Sequence, residues 1–385
     1  MKVLILHNAY RQKGGEDAVV EAESEMLRGH GVRVALHRVA NDSIGTLGDK
    51  VRTFARARRN PESGRDVLAT ISRELPDVVH IHNFFPLLTP GIHRLLAERG
   101  LPVVQTLHNY RLLCANGMFL RDGAICELCQ QGSRGHALIH RCYRHSLPAT
   151  LAVLRMQDAS VHSPAWLQSV SRFIALTEFA RAKFIEGGLP ASRIAVKPNS
   201  VPDPGQGREA AERTGALFVG RIAPEKGVAA LVEASHAFPR LPLTVVGDGP
   251  ELEALRHAAP PHVEFTGALP SAAVMDRMKS AAWLIMPSTW YEGFPMTLVE
   301  AFACGLPVIA PRLGGLAELV DHGNNGLLYD PSDPAGLERA IATAFAGHAD
   351  RRHLSDGARE TYLQRFSTKK NVAQLIDIYW TVLGR

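Results

Sequence analysis

The sequence predicts an α/β protein of two domains, each built on a parallel sheet. Short apolar runs alternate with helix-length amphipathic stretches along the whole chain. The alternation restarts after a linker-like stretch, Asp203-Pro-Gly-Gln-Gly-Arg-Glu-Ala-Ala-Glu-Arg213. With 385 residues and 46% apolar composition, the chain can bury two cores. The expected division is residues 1–202, residues 203–366 and a helical tail over residues 367–385.

In the first domain, residues 2–6 read as a strand, too short for a signal peptide. The segment Asn8-Ala-Tyr-Arg-Gln-Lys-Gly-Gly-Glu16 follows, then a helical stretch through Leu27. Gly14 and Gly15 before that helix can turn backbone N–H groups toward a phosphate; taken alone, a Gly-Gly pair is only a turn. Residues 32–39 are a second strand. A helix is expected from Leu47 to Arg59, with Leu47, Val51 and Phe54 on one face and Lys50, Arg52, Arg56, Arg58 and Arg59 around it. Such a helix either lies on anionic lipid or is a solvated surface helix. Residues 77–82 and 102–108 are further strands. His80, His82 and His108 therefore fall at or near strand ends, where open α/β sheets bind ligands. Residues 151–168 look helical and apolar, residues 172–177 form a strand, and a helix runs on through Glu186.

Residues 110–146 break this rhythm, being too long for an ordinary connection. They hold Cys114, Cys126, Cys129 and Cys142, four of the five cysteines. Cys126-x2-Cys129 is a thiolate pair suited to one tetrahedral metal, and the other two flank it. Two readings stay open: a structural zinc site, with His136, His140 and His145 as spare ligands, or four reduced thiols in a small core.

The second domain opens with Ala216-Leu-Phe-Val-Gly-Arg-Ile-Ala-Pro-Glu-Lys-Gly227, a strand, a turn and a helix start. Arg221 and Lys226 lie across that turn and both could reach one diphosphate, or be two exposed cations. Leu243-Thr-Val-Val-Gly-Asp-Gly-Pro250 is the next strand and turn, and residues 263–266 another strand. Residues 282–286 form a buried strand, and a helix is expected from about Pro295 to Ala303. Its free N–H groups and positive dipole end make a site for a phosphate. Glu292 and Glu300 bracket the turn. A carboxylate accepts hydrogen bonds at both oxygens and suits the vicinal hydroxyls of a sugar, although two solvated glutamates would look the same.

The run Glu292-Gly-Phe-Pro-Met-Thr-Leu-Val-Glu-Ala-Phe-Ala-Cys-Gly-Leu-Pro-Val-Ile-Ala310 resembles, without a break, the nucleotide-sugar signature of the retaining family 4 glycosyltransferases. Residues 103–111 and 216–227 resemble further segments of that family. The resemblance implies a GT-B fold, two Rossmann-like domains facing a central cleft, with the donor mostly on the second and the acceptor on the first. It also implies a terminal helix that packs back on the first domain. By resemblance, Arg221 and Lys226 neutralise the leaving nucleoside diphosphate, Glu300 holds the ribose, and Glu292 with His108 meets the donor sugar. Gly14, Gly15, Gly220, Gly247, Gly249, Gly293, Phe294, Pro295, Met296, Thr297 and Leu298 complete the donor-binding set. The implied reaction is retaining transfer of a hexose-type sugar from a nucleoside-diphosphate sugar, without a catalytic cofactor, to a glycan or lipid-linked sugar. A sugar-nucleotide epimerase on the same fold and a carbohydrate-binding scaffold without turnover are the alternatives.

Charge is uneven along the chain. Residues 1–200 hold 26 Lys+Arg against 17 Asp+Glu, and residues 201–385 hold 17 against 21. A basic first half suits an anionic partner such as a membrane surface or a phosphorylated acceptor. Nucleic acid is not expected, since aromatic residues make up 6% and no recognition motif is present. Few cysteines and no bilayer-length apolar run point to the cytoplasm, at or near the inner membrane face.

Overall fold

The computed structural model describes residues 1–10, 14–43, 45–346 and 350–385, without the side chains of residues 43 and 47. The chain divides into two compact units. One holds Met1–Phe119, Cys126–Asn199 and Asn371–Arg385, and the other Leu120–Ile125 and Ser200–Lys370.

The strands of the first unit are β1 (Lys2–Ala9), β2 (Arg33–Ala40), β3 (Val78–Ile81), β4 (Val103–Leu107), β7 (Arg172–Ala175) and β8 (Ile194–Val196); β5 (Leu120–Arg121) and β6 (Ala124–Ile125) form a separate small hairpin assigned to the other unit. Those of the first unit lie in the order β2-β1-β3-β4-β7-β8, all parallel. Winding reverses between β1 and β3, so a crevice opens beyond the carboxyl ends of those two strands. Val3, Ile5, Val78, Val104 and Ile174 form one buried face, and Val372, Leu375, Ile378 and Tyr379 of the C-terminal helix Thr368–Val382 pack into it.

The second sheet comprises β9 (Thr214–Val219), β10 (Leu243–Val246), β11 (Val263–Gly267), β12 (Ala281–Ile285), β13 (Val308–Pro311) and β14 (Gly326–Tyr329). Its order is β11-β10-β9-β12-β13-β14, the doubly wound order whose switch point lies between β9 and β12. Both faces are covered. Leu217 and Leu284 enter the cluster with Leu298, Phe302 and Phe366, while Phe218, Trp283 and Ile285 enter the opposite one. Period-two alternation in two continuous apolar strands produces these two cores.

The α/β expectation holds, and two helices needed correction. Helix α1 (Gly15–Gly29) is followed by α2, which covers only Leu47–Ala55 rather than reaching Arg59. A separate helix, Pro61–Glu74, begins with proline in its first turn, and extended Asn60 before it ends the preceding run. Arg58 and Arg59 thus lie outside any helix, and Arg56 pairs with Glu62 at 2.6 Å. The expected helix over residues 151–168 is two, Leu147–Asp158 and Pro164–Ser169, each capped by a serine hydroxyl. Pro295 is the extended N-cap, and the helix runs Met296–Ala303. The stripe position of the Leu47 side chain and residues 11–13 of the loop before α1 lie outside what is described.

Candidate functional site

Two turns meet at the switch point of the second sheet. After β9 the chain passes Gly220 and Arg221 into a short turn, Pro224–Lys226, closed by Gly227 at φ +69°. A Cβ on Gly227 would lie 2.0 Å from the carbonyl oxygen of Pro287, so only glycine lets this turn sit against the end of β12. That contact brings Lys226 to Glu292. Lys226 Nζ lies 2.8 Å from Glu292 Oε1, and Ser288 Oγ donates to the same oxygen at 2.7 Å. Neither takes Oε2. Glu292 is buried, and Lys226 Nζ also stands 5.4 Å from the centre of the Trp290 ring. Arg221, largely exposed, pairs with buried Glu225, whose carbonyl accepts from the Thr289 amide at 3.0 Å.

No side chain caps the helix Met296–Ala303, and no acidic residue occupies its first turn. Its N-terminus is free for an anion. Glu300, one turn further on, is half-buried; its carboxyl makes no hydrogen bond or ion pair among the described residues and is pushed up by burial alone. The site therefore joins two cations, an uncapped helix end, one carboxylate held in place and one carboxylate lacking a protein partner.

Not every residue of the sequence-derived set presents its side chain here. Leu298 is fully buried in the core and can serve a ligand only through its backbone, while Phe294 is partly exposed and meets the Phe366 ring edge-on at 5.9 Å. Gly293 and Thr297 are partly exposed, and Met296 packs partly on the core. Gly247 and Gly249 have a reason of their own. A Cβ there would meet the Gly220 and Ile222 carbonyl oxygens at 1.8 and 2.1 Å, because two sheet-edge turns touch through backbone. Ser288, Trp290 and Glu225 were missed, although all three lie inside or beside the motif segments.

In the first unit, Gly14 is the N-cap of α1, and its N–H donates to Asp17 Oδ2 at 3.0 Å. Gly15 is exposed. Glu16 and Asp17 already face the helix dipole in the first turn, with Glu16 accepting from Asn109 at 2.6 Å and Asp17 contacting His7 at 2.9 Å. His108 follows β4 and is half-buried. Its Nε2 lies 2.9 Å from His82 Nδ1, and the two rings stack. Burial and the neighbouring imidazoles hold His108 well below the usual histidine range.

Glu23, His80 and His82 form the one group of three among the described residues whose ligand atoms lie within 4.8 Å of one another. Lys197 Nζ already sits 3.1 Å from Glu23 Oε2, so the carboxylate is neutralised without a metal. The four insert cysteines are free thiols, Cys114 buried and Cys126, Cys129 and Cys142 half-buried. Burial, then Cys114, Cys142 and Cys126 nearby, push Cys129 up to about 11. Backbone amides of Phe119, Asn116, Gly117 and Met118 point toward the Cys114 sulfur. The donor set fits a thiolate-bound cation, although the sulfurs are not drawn to mutual 4.8 Å spacing.

A cavity of about 590 Å³ also opens in the first unit, lined among others by Tyr10, Val51, Phe54, Arg111, Tyr143 and Pro148. Its walls are chiefly apolar, and Lys50, Arg111 and Arg144 supply cations. Among the described residues no helix is long and apolar enough to cross a membrane.

Comparison with known proteins gives consistent results. The family profile described as "Glycosyl transferases group 1" matches residues 203–361, and that described as "Glycosyltransferase Family 4" matches residues 14–203. A Bacillus subtilis glycosyltransferase named for teichuronic acid biosynthesis, TuaC, is 33% identical over 99% of this chain and 86% of its own length. Other relatives match over less of themselves. The chain spans 24% of an exopolysaccharide phosphotransferase from Streptomyces coelicolor, at 30% identity over 56% of this chain. It spans 47% of an uncharacterized glycosyltransferase from Methanocaldococcus jannaschii, at 33% identity over 42% of this chain. Among solved structures, sucrose-phosphate synthase from Thermosynechococcus elongatus aligns over 100% of this chain and 99% of its own, with TM-score 0.74 and 18% identity. Anabaena HepE in complex with UDP aligns over 98% and 99%, with TM-score 0.67 and 20% identity. At such identities these structural likenesses speak for the fold.

Proposed function

The chain belongs to the group 1 glycosyltransferases of family 4 and has their GT-B fold; from that premise we propose that it moves a hexose-type sugar, with retention, from a nucleoside-diphosphate sugar to a hydroxyl of a glycan or lipid-linked acceptor. The observation that carries this reading is the arrangement around the uncapped helix Met296–Ala303. Glu292 is held by Lys226 and Ser288 with one oxygen untaken, and Glu300 is half-buried without a partner. In the proposed site the helix N-terminus, Lys226 and Arg221 stabilise the charge that develops on the departing diphosphate. Glu300 accepts from the ribose hydroxyls, Glu292 Oε2 accepts from the donor sugar, and His108 meets a hydroxyl of that sugar. Gly14 and Gly15 complete the donor set through backbone.

The teichuronic acid name of the Bacillus relative supports a place in cell-surface polysaccharide synthesis. The apolar cavity with its cations supports a lipid-linked acceptor, which an enzyme attached to the inner membrane face would meet. One structural zinc on Cys114, Cys126, Cys129 and Cys142 belongs to the proposal. It would supply the charge that turns four neighbouring thiols into thiolates.

A thermal-shift screen over UDP-, GDP- and ADP-sugars, followed by nucleotide-release assays with and without acceptor extracts, tests the reading. Stabilisation by one donor and acceptor-dependent release of its nucleoside diphosphate are expected. Acceptor-independent isomerisation would indicate an epimerase. Binding without release would indicate a scaffold.

A further inference from the structure

Behind His108 lies a buried chain of charged and polar groups that no motif announced. Lys197 Nζ is 3.1 Å from Glu23 Oε2. The other carboxylate oxygen, Oε1, lies 3.2 Å from His82 Nε2 and 3.3 Å from His80 Nδ1. His82 Nδ1 then lies 2.9 Å from His108 Nε2. Lys197, Glu23, His80 and His82 are all buried, so each proton position is decided by its neighbours rather than by water.

Burial opposes ionisation of Glu23, but Lys197, His82 and His80 outweigh it and hold its carboxyl well below the usual range. An ionised carboxylate only accepts, so at 3.2 Å it favours a proton on His82 Nε2 over a lone pair; the contact is an ion-pair distance without hydrogen-bond alignment, and His80 Nδ1 stands 3.3 Å from the same oxygen. Burial lowers His82 to about 4, which keeps it neutral with a single N–H. Its Nδ1 is then a lone pair, and His108 Nε2 must supply the proton of the 2.9 Å contact. His108 is left with an unprotonated Nδ1. His80 imposes no opposite direction, because its other contacts are the Tyr379 and Thr106 hydroxyls, both at 2.7 Å, which rotate to suit either tautomer.

We propose that Glu23, anchored by Lys197, and His82 are positioning residues that set the tautomer of His108, so that His108 Nδ1 offers a lone pair to a hydroxyl of the donor sugar. The proposal rests on the reading of His108 as a sugar contact. Glu23→Gln reverses the chain. The amide turns its oxygen to Lys197 and its NH2 to His82, His82 must then accept at Nε2, and the proton on His108 moves to Nδ1.

Long-range 1H–15N spectra of the full chain labelled with 15N-histidine read this directly, with signals assigned from His82→Gln and His108→Gln. The wild type should show an unprotonated Nδ1 and a protonated Nε2 on His108. Glu23→Gln should exchange the two and slow nucleotide release from the active sugar of the UDP, GDP and ADP panel at least tenfold. A proton on His108 Nδ1 in the wild type overturns the proposal, as does an unchanged tautomer in Glu23→Gln. If that variant does not fold, the wild-type spectrum alone decides. Undiminished release in His108→Ala would instead overturn the sugar contact, leaving the tautomer to stand or fall by the spectrum.

Discussion

Lys226 and Glu292 meet at 2.8 Å across 66 residues of sequence, with the lysine ammonium 5.4 Å from the centre of the Trp290 ring and the carboxylate almost wholly buried. The pair exists because Gly227 lets one sheet-edge turn press against the end of β12. Its partners therefore act together. Glu292→Ala should lower turnover by the ~1.5–3 kcal/mol of a hydrogen bond to a charged group, roughly 10- to 150-fold. In a double-mutant cycle with Lys226→Ala the losses should fall well short of additive. Additive losses in initial rate would mean that the two groups work separately.

Glu300 stands in contrast, since burial costs it something and no protein group compensates. Its folded carboxyl is raised above the unfolded value, so the ionised form weakens the fold as pH rises through that window. Glu300→Gln should leave the melting temperature at pH 7.5 unchanged or higher. The same variant should weaken nucleotide binding by ~1.5–3 kcal/mol in calorimetry with the preferred nucleoside diphosphate. Unchanged affinity would remove Glu300 from the ribose.

Both sheets were legible because most of their strands are short apolar runs between turn residues, with β2 (Arg33–Ala40) and β11 (Val263–Gly267) at the edges carrying charged residues. The segment from Glu292 to Glu300 was legible because its glycine, proline and carboxylates sit together in sequence. The Glu23–Lys197 pair was not, since its members lie 174 residues apart and each reads alone as a surface charge on a helix or a strand end. His82 was set aside for the same reason: one histidine at a strand end says nothing of the carboxylate behind it. The break after Ala55 was missed because the arginines continue past the helix, although Pro61 marks the start of the next one.

Acid should loosen the first unit. His93 is buried between Phe84 and Trp166, and burial lowers it to about 4 from 6.5. Between those values the unfolded chain takes up a proton that the folded chain refuses. Stability is therefore fully present above pH 6.5 and declines toward pH 4, by on the order of 3 kcal/mol for this group. Urea unfolding at pH 7 and pH 5 should show the decline, and His93→Gln should reduce it by the share of this group, leaving that of His82 and His108. An equal pH slope in that variant would place the acid sensitivity elsewhere.

Purified, reduced protein should carry about one zinc per chain, measured by elemental analysis. Cys126→Ser and Cys129→Ser should each lose it, and chelation should destabilise the unit that holds them. Donor binding at Lys226, Glu292 and Glu300 should persist, since these residues belong to the other unit. Freshly purified protein without metal would leave the four thiols as a small reduced core.

The last prediction concerns the membrane. α2 packs on the helix Leu147–Asp158, as does the short helix Gly135–Ile139. Across these three helices Val51, Ile139, Leu147 and Leu151 are exposed, Val51 by 60% and Ile139 by 73%. Lys50, Arg52, Arg141 and Arg144 are exposed on or beside the same helices. Apolar side chains interleaved with cations suit the boundary of an anionic bilayer, and the cavity lined by Val51, Phe54 and Arg111 opens at this cluster. Attachment through so few groups is weak and screened by salt. The protein should sediment with anionic vesicles at low salt, be released at high salt, and ignore neutral vesicles. Val51→Asp should reduce sedimentation without changing the thermal shift that the preferred donor sugar produces in solution. Failure to bind either vesicle would favour a soluble sugar acceptor, with the arginines merely solvated.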